Sequence, residues 1–426
     1  MRTIILYFAA TIVASLYLFP FEFVFLPGIN TKMCLALMGG VLILMHCSAN
    51  KCPLLNKEML VLIILALMVS LCGFLSTTIN NTNDYTYATY IVSMVVWVSA
   101  AYLVMNVIRS VHKRISTVII CNYIIAVCVF QCLSAIAIDS VPLVKELVNK
   151  YILGFGFEKN VLDLSGNRLY GIGAALDVAG SRFSIALIMC AYLLSRERSF
   201  AKTFLYTTAF IIIGIIGNMI SRTTTVGMVL SVVYILYSTI VRKNNSHNTF
   251  VAFMLVLLAV IPSTIILYKT DAHFHGYIDF AFEGFFNIAE KGKWETHSNA
   301  ILRNMYRFPD TFKTWLIGDG YFDNPTSDPY YSGYMWKGFY MGTDVGYLRF
   351  IFYFGLLGLA AFSIFMAKAC MACCDALGRH KKLFVAVLMI NFIVWFKVST
   401  DIFLMFALFL CLDPDEENRY YEQIDE

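Results

Sequence analysis

The sequence predicts an all-α polytopic membrane protein of about 12 transmembrane helices with one large extracytoplasmic loop, and three observations carry that prediction. First, 59% of the 426 residues are hydrophobic and 14% are charged, whereas an ordinary soluble domain holds roughly half apolar and a quarter charged residues. Second, apolar runs recur at 3–26, 32–48, 58–77, 86–108, 115–138, 172–195, 202–220, 223–241, 249–269, 343–366, 383–397 and 400–412. Most of them approach the roughly 20 residues a helix needs to cross the hydrocarbon core, the last two being the shortest. Third, the basic residues segregate. With Arg2 inside, one side collects Lys51 and Lys57; Arg109, Lys113 and Arg114; Arg196, Arg198 and Lys202; Arg242 and Lys243; Lys368, Arg379, Lys381 and Lys382; and Arg419. The short loops opposite hold only Lys32, Arg222 and Lys397. That asymmetry places both termini in the cytoplasm.

The chain, 1–426, reads as a single integral-membrane domain. Met1-Arg2 is followed by an apolar run with no small-residue cleavage site, which predicts an uncleaved first helix. The net charge of +4 is small and lies largely in short loops, so nucleic acid is excluded as a partner. All 12 cysteines fall in apolar runs or cytoplasmic segments, so the longest polar loop is expected to fold without disulfides. Cys370, Cys373 and Cys374 sit near a helix end, but no second ligand cluster supports a metal.

Two outer-face loops are long. The first, 139–170, holds an amphipathic piece over 141–155 that predicts an interfacial helix, and it closes with Gly166-Asn167-Arg168-Leu169-Tyr170-Gly171. The second, 270–342, has nine acids and six bases, so any anion site within it is local. There Asn299 to Phe308 predicts a helix with Arg303 and Arg307 one turn apart on one face. That pair reads either as an anion clamp or as a solvated face with salt bridges. Trp315, Tyr321, Tyr330, Tyr331, Tyr334, Trp336 and Tyr340 follow, interleaved with Asp, Asn and Gly. Rings stack on the C–H faces of a sugar while polar neighbours take its hydroxyls, although aromatic residues also gather at any membrane interface.

The stretch Gly217-Asn218-Met219-Ile220-Ser221-Arg222-Thr223-Thr224-Thr225-Val226-Gly227 is a polar knot between two apolar runs. A helix starting there would aim its free N–H groups in the same direction as the Arg222 guanidinium and the hydroxyls of Ser221 and Thr223, as a phosphate or pyrophosphate requires. The competing reading is a helix cap at Ser221 and an interfacial anchor at Arg222. In the tenth run, Asp344 stands at a helix mouth, Arg349 lies deeper, and Tyr347 is between them. An ionisable residue within a span is a functional candidate, and Arg349 is also open to pairing with Asp177 or Glu22. Arg182 and Asp177 in the sixth run raise the same choice. No Gly-Lys nucleotide loop, Asp-x-Asp pair or His/Cys metal spacing occurs, so no cofactor is expected and the substrate must arrive already activated.

Four pieces resemble the O-antigen polymerase and ligase superfamily, closest to the Wzy-type polymerases. They are Arg168-Leu169-Tyr170-Gly171, Ser221-Arg222-Thr223, Leu316-Ile317-Gly318-Asp319-Gly320-Tyr321, and Asp344-x-Gly346-Tyr347-Leu348 with Phe354-Gly355-Leu356-Leu357-Gly358. The resemblance implies a metal-independent, GT-C-like glycosyltransferase. Such an enzyme joins undecaprenyl-pyrophosphate-linked oligosaccharides at the periplasmic face of the bacterial inner membrane, with a chain-length regulator and a flippase as partners. Ligases of this superfamily usually carry a histidine where Asp344 stands here, which favours the polymerase. In this reading Arg222, Arg303, Arg168 and Arg307, with Ser221 and Thr223, hold the leaving pyrophosphate. Asp344, with His297 second, takes the acceptor proton. Trp315, Tyr321, Trp336 and Tyr347 bind sugar. A ligase acting on lipid A-core and a polysaccharide flippase are the alternatives, the latter expected to show two related halves and short loops.

Overall fold

Stretches rich in Leu, Ile, Val and Phe form helices because a bilayer offers no partner to an open backbone, so each N–H and C=O must be bonded within its own segment. The structure, a computed structural model, describes residues 2–49, 56–112, 114–153, 168–197, 199–241, 268–269, 272–325, 331, 333–336 and 338–425. Outside the described residues lie 249–267 of the ninth apolar run, together with Lys51, Lys113, Gly166, Asn167, Arg198, Arg242, Lys243, Asp271, Asp328, Tyr330 and Lys337.

The helices are α1 Arg2–Leu18, α2 Thr31–Ser48, α3 Lys57–Asn80, α4 Tyr90–Val111, α5 Thr117–Ser140, α6 Pro142–Tyr151, α7 Leu176–Leu194 and α8 Phe200–Ile220. They continue with α9 Thr224–Val241, α10 Ala272–Lys291, α11 His297–Asn304, α12 Phe312–Ile317, α13 Gly346–Ala376, α14 Lys381–Val394, α15 Phe403–Leu410 and α16 Pro414–Asp425. The protein is mostly helical, at 76%, as the composition predicts for a membrane protein. Among the described residues seven helices, α2, α3, α4, α5, α7, α8 and α13, are long and apolar enough to cross a bilayer. The apolar parts of α1 (Ile4–Leu18) and α9 (Thr224–Ile240) are shorter.

Capping explains several boundaries. Asn56 accepts a hydrogen bond from Met59 N at 2.9 Å to open α3, and Asn81 closes it at a left-handed φ of 53°. The first apolar run does not stay helical to residue 26. Pro20 disfavours helix at Phe19, and after it Glu22–Phe23 pairs antiparallel with both Leu26–Asn30 and Ile152–Leu153. The interfacial piece is helical over Pro142–Tyr151, with no buried residue. Arg307 lies three residues past the end of α11, so Arg303 and Arg307 do not share a helix face. The helix stops at Asn304, and an irregular run from Tyr306 leads to Pro309.

The chain divides into two compact units. The first comprises Met1–Leu35, Val104–Trp294 and Asp415–Glu426. Its centre is α7, buried without interruption from Ala179 to Leu194 and packed by α5, α8 and α9. Its length is mostly apolar, as suits such a position, and its buried Arg182 lies against the Phe19 ring. Helices α7 and α9 meet backbone to backbone. Gly227 N donates to Ser184 Oγ at 3.2 Å, and Ser184 Oγ donates to Thr223 O at 2.9 Å. A Cβ on Gly227 would sit 2.2 Å from Ser184 Cα. Small residues permit this approach, and neither helix can yield without losing the pair. Gly227→Ala is therefore expected to lower the thermal midpoint of the purified protein, by overpacking of about 1–3 kcal/mol. Gly40→Ala, whose added Cβ meets nothing within 4 Å, should leave the midpoint level or raise it.

The second unit comprises Ala36–Leu103 and Glu295–Pro414. Its long helix α13 packs against α3, α12, α14 and α15. An aromatic core forms around Tyr87, whose ring lies 5.1–5.6 Å from Phe322, Phe350, Tyr353, Phe354 and Phe362. Helix α13 breaks at Phe354 and Gly355, the latter at φ 69° and ψ −172°. The interruption frees carbonyls that must find other donors, and they find them in the loop after α12.

Candidate functional site

In the first unit, the four-residue piece beginning at Arg168 docks on the polar knot, Leu169 N donating to Met219 O at 3.2 Å. This brings together two arginines that stand 54 positions apart in the chain. Their guanidinium carbons lie 4.6 Å (Arg168) and 4.1 Å (Arg222) from the centre of one ring, Phe280 of α10. Arg222 Nε donates to Phe280 O at 2.7 Å, and Arg222 Nη2 forms an ion pair with Glu283 at 2.7 Å. The buried Nε of Arg168 has no partner among the described residues. Burial pulls both arginines below their ordinary pKa, and the Glu283 carboxylate pushes Arg222 back up. An arginine still keeps its charge at physiological pH. Two guanidiniums therefore share one apolar platform, and the Glu283 carboxylate is paired with one of them.

The hydroxyls predicted to face a phosphate have other work. Ser221 Oγ donates to Asp177 at 3.1 Å, and Thr223 Oγ1 donates to the same carboxylate oxygen. Both residues are buried. The first N–H groups of α9 are also engaged, Thr224, Thr225 and Val226 donating to the carbonyls of Ser221, Arg222 and Thr223. Asp177 is thus a brace for the knot, and the knot's capacity for an anion rests on its guanidiniums rather than on a helix terminus.

In the second unit, the other two pieces clasp each other. Asp319 N donates to Phe352 O at 2.6 Å and Gly320 N to Tyr353 O at 3.0 Å, filling the carbonyls that the helix break exposes. Helix α3 and the turn after it complete the clasp through Ser76 Oγ to Tyr353 O (2.6 Å), Asn80 Nδ2 to Gly318 O (3.1 Å) and Thr82 Oγ1 to Gly320 O (2.9 Å). Asp319 accepts from Thr314 Oγ1 at 2.7 Å and from Tyr340 OH at 3.3 Å. Burial raises its pKa, and those donors oppose the rise. Arg349 is in the first turn of α13 and pairs with Asp323 at 2.7 Å, not with Asp177 or Glu22. Its guanidinium lies 3.8 Å from the ring centres of both Phe322 and Phe339 and also donates to Ser399 Oγ and Phe322 O. Asp344, two residues before α13, interacts electrostatically with Arg349.

The remaining predicted residues are spread over the second unit. His297 and Arg303 lie exposed at the two ends of α11. Arg307 sits 4.4 Å from the Trp336 ring. Trp315 donates its indole N–H to Pro309 O, and Tyr347 donates its hydroxyl to Phe392 O while packing on Trp395 and Phe396. Tyr321 lines a cavity with Asp84 and Asp323. Sequence reasoning missed Phe280, Glu283 and Asp84 as participants. Glu283 was one acid among nine in its loop, and nothing local marks it as a partner of Arg222.

Fold and site together define a multi-pass helical membrane protein with partly buried to buried guanidiniums held on aromatic rings. Comparison with protein-family models, curated proteins and solved structures returns no match to this chain.

Proposed function

We propose that this protein polymerises undecaprenyl-pyrophosphate-linked oligosaccharide units into O-antigen or a related surface polysaccharide. In this reading it crosses the inner membrane about twelve times in a GT-C-like arrangement, keeps both termini in the cytoplasm and works at the periplasmic face. The observation that supports it most is that backbone hydrogen bonds tie the resemblance-bearing pieces to residues immediately beside one another, Leu169 to Met219 just before Ser221, and Asp319 and Gly320 to Phe352 and Tyr353 just before Phe354. One pair delivers Arg168 and Arg222 to a shared aromatic platform; the other builds the clasp that positions the loop before α13.

Chemically, cleavage of a glycosyl–diphosphate bond develops negative charge on the departing diphosphate. Fixed guanidiniums in a partly dehydrated place stabilise that charge where it forms. Arg222 and Arg168 take that role here, and a diphosphate oxygen replaces the Glu283 carboxylate on Arg222 as it binds. The acceptor hydroxyl loses its proton to Asp344, or to His297 if that carboxylate proves dispensable. Arg303 and Arg307 are secondary candidates for the diphosphate.

Purified protein given defined lipid-linked repeat units, with no added metal, should lengthen them. Deletion of the gene should leave core carrying a single O-unit on lipopolysaccharide gels. Core with no O-unit would instead indicate a ligase, and lipid-linked units accumulating in the cytoplasm would indicate a flippase.

A further inference from the structure

The turn joining α3 to α4 and the loop after Gly320 border a half-open cavity of about 260 Å³ within the second unit, lined in part by Asp84, Tyr85, Thr86, Tyr321, Asp323 and Asn324. Lys57 and Arg109 mark the far ends of those two helices, so the charge asymmetry puts this turn on the face opposite the basic loops. The loop 270–342 belongs to that same face in the sequence topology.

The two carboxylates of the cavity differ in what they have left to offer. Asp84 is spent on structure. Its Oδ2 accepts from Phe322 N (2.7 Å) and Asp323 N (3.1 Å), and its Oδ1 accepts from the N–H and hydroxyl of Thr86. Asp323 gives Oδ1 to Arg349 at 2.7 Å, which fixes its direction, and Oδ2 has no partner among the described residues. Arg349 is itself 7% exposed beneath Phe322 and Phe339, so a ligand meets the carboxylate rather than the cation. Tyr85, half exposed, and Tyr321 add aromatic surface beside that acceptor. At about 30 Å³ per water, the volume holds roughly nine waters and falls just below the usual range for drug-sized ligands. That suits one ring and not a chain. The local charge, two carboxylates against one buried guanidinium, repels anions.

We propose that this cavity is a saccharide subsite that takes a single neutral or amine-bearing pyranose, with Asp323 Oδ2 accepting a ring hydroxyl and Tyr85 or Tyr321 stacking on the sugar's C–H face. Its assignment to a sugar of the lipid-linked substrate rests on the polymerase reading above; the binding itself does not.

The test is saturation-transfer NMR on the full-length protein in lipid nanodiscs free of glycoside detergent, with glucose, N-acetylglucosamine, galactosamine and glucuronate as probes. The neutral and amino sugars are expected to bind saturably at millimolar concentration, and glucuronate more weakly than glucose by about tenfold or more. Tyr85→Ala should weaken glucose by about tenfold, and Asp323→Asn should narrow the gap between glucose and glucuronate. Absence of saturable binding by every probe, equal binding of glucose and glucuronate by the wild type, or unchanged binding in both variants overturns the proposal. Size-exclusion profiles confirm that each variant is folded, and if one is not, the other carries the decision. Because the probes lack a diphosphate, failure here leaves the polymerase reading standing, and a failed polymerisation assay leaves this result intact.

Discussion

Arg222→Ala is expected to reduce chain lengthening by about 10²–10³-fold while leaving the protein in the membrane, the loss typical when one fixed donor to a developing anion is removed. Arg222→Lys should recover part of it, since the charge returns but not the planar fork of donors. The ion pair with Glu283 sets the control that makes this result decisive. If Arg222 serves merely to neutralise Glu283, then removing either partner leaves the other half-buried and uncompensated, and Glu283→Gln should damage the protein as Arg222→Ala does. If Arg222 grips the leaving diphosphate, Glu283→Gln removes a competitor for its Nη2, and lengthening should be retained or accelerated. The measurement is the rate of lengthening of lipid-linked units for the two variants side by side, with thermal midpoints recorded for both. Equal loss of rate and of midpoint in the two would reduce Arg222 to a structural anchor.

Gly355→Ala is the substitution expected to cost most in stability. Its φ of 69° with ψ of −172° lies in a region essentially closed to residues with a Cβ, at about 1–3 kcal/mol. The added Cβ would also stand 2.2 Å from both the carbonyl carbon and the oxygen of Leu316, which are backbone atoms and cannot rotate aside. Overpacking adds about 1–3 kcal/mol. The loop 318–320 would then be pushed off the helix break, exposing the carbonyls of Phe352 and Tyr353 that Asp319 N and Gly320 N satisfy. The expected outcome is a large fall in thermal midpoint, or no monodisperse protein at all. Gly292→Ala places a Cβ at a positive φ of 67° with nothing within 4 Å of it, so it reports the cost of positive φ without the collision. Equal effects of the two substitutions would mean that the clasp contributes little.

These two positions also show where reading the chain unaided runs out. The pieces around Arg168, Arg222, Gly318 and Gly355 were each conspicuous as polar or glycine-rich interruptions of apolar runs. Which piece meets which was not legible, because Leu169 bonds to Met219 across 50 residues and Gly320 to Tyr353 across 33. Local spacing holds no record of such pairings. Arg349 is legible as a charge within a span, yet its partner, Asp323, stands in a loop rather than in or near another span. The hydroxyls of Ser221 and Thr223 suggested an anion cradle by their sequence neighbourhood, and Asp177, 44 residues upstream of Ser221, takes both. Aromatic spacing likewise holds no record of placement: Trp315 and Tyr347 donate to backbone carbonyls, whereas Tyr321 lines the cavity with Asp84 and Asp323.

Composition and run length by themselves determined the class of this molecule, since a chain this apolar must hide its backbone polarity inside helices before any contact is specified. Charge asymmetry between loops likewise needs no coordinates, because it acts while each loop is still local. Tertiary structure alone decided which carboxylate neutralises which guanidinium, and where a helix must break to receive a loop. Those outcomes depend on distances between segments far apart in the chain, and in a low-dielectric interior a shift of a few ångströms changes which pair forms.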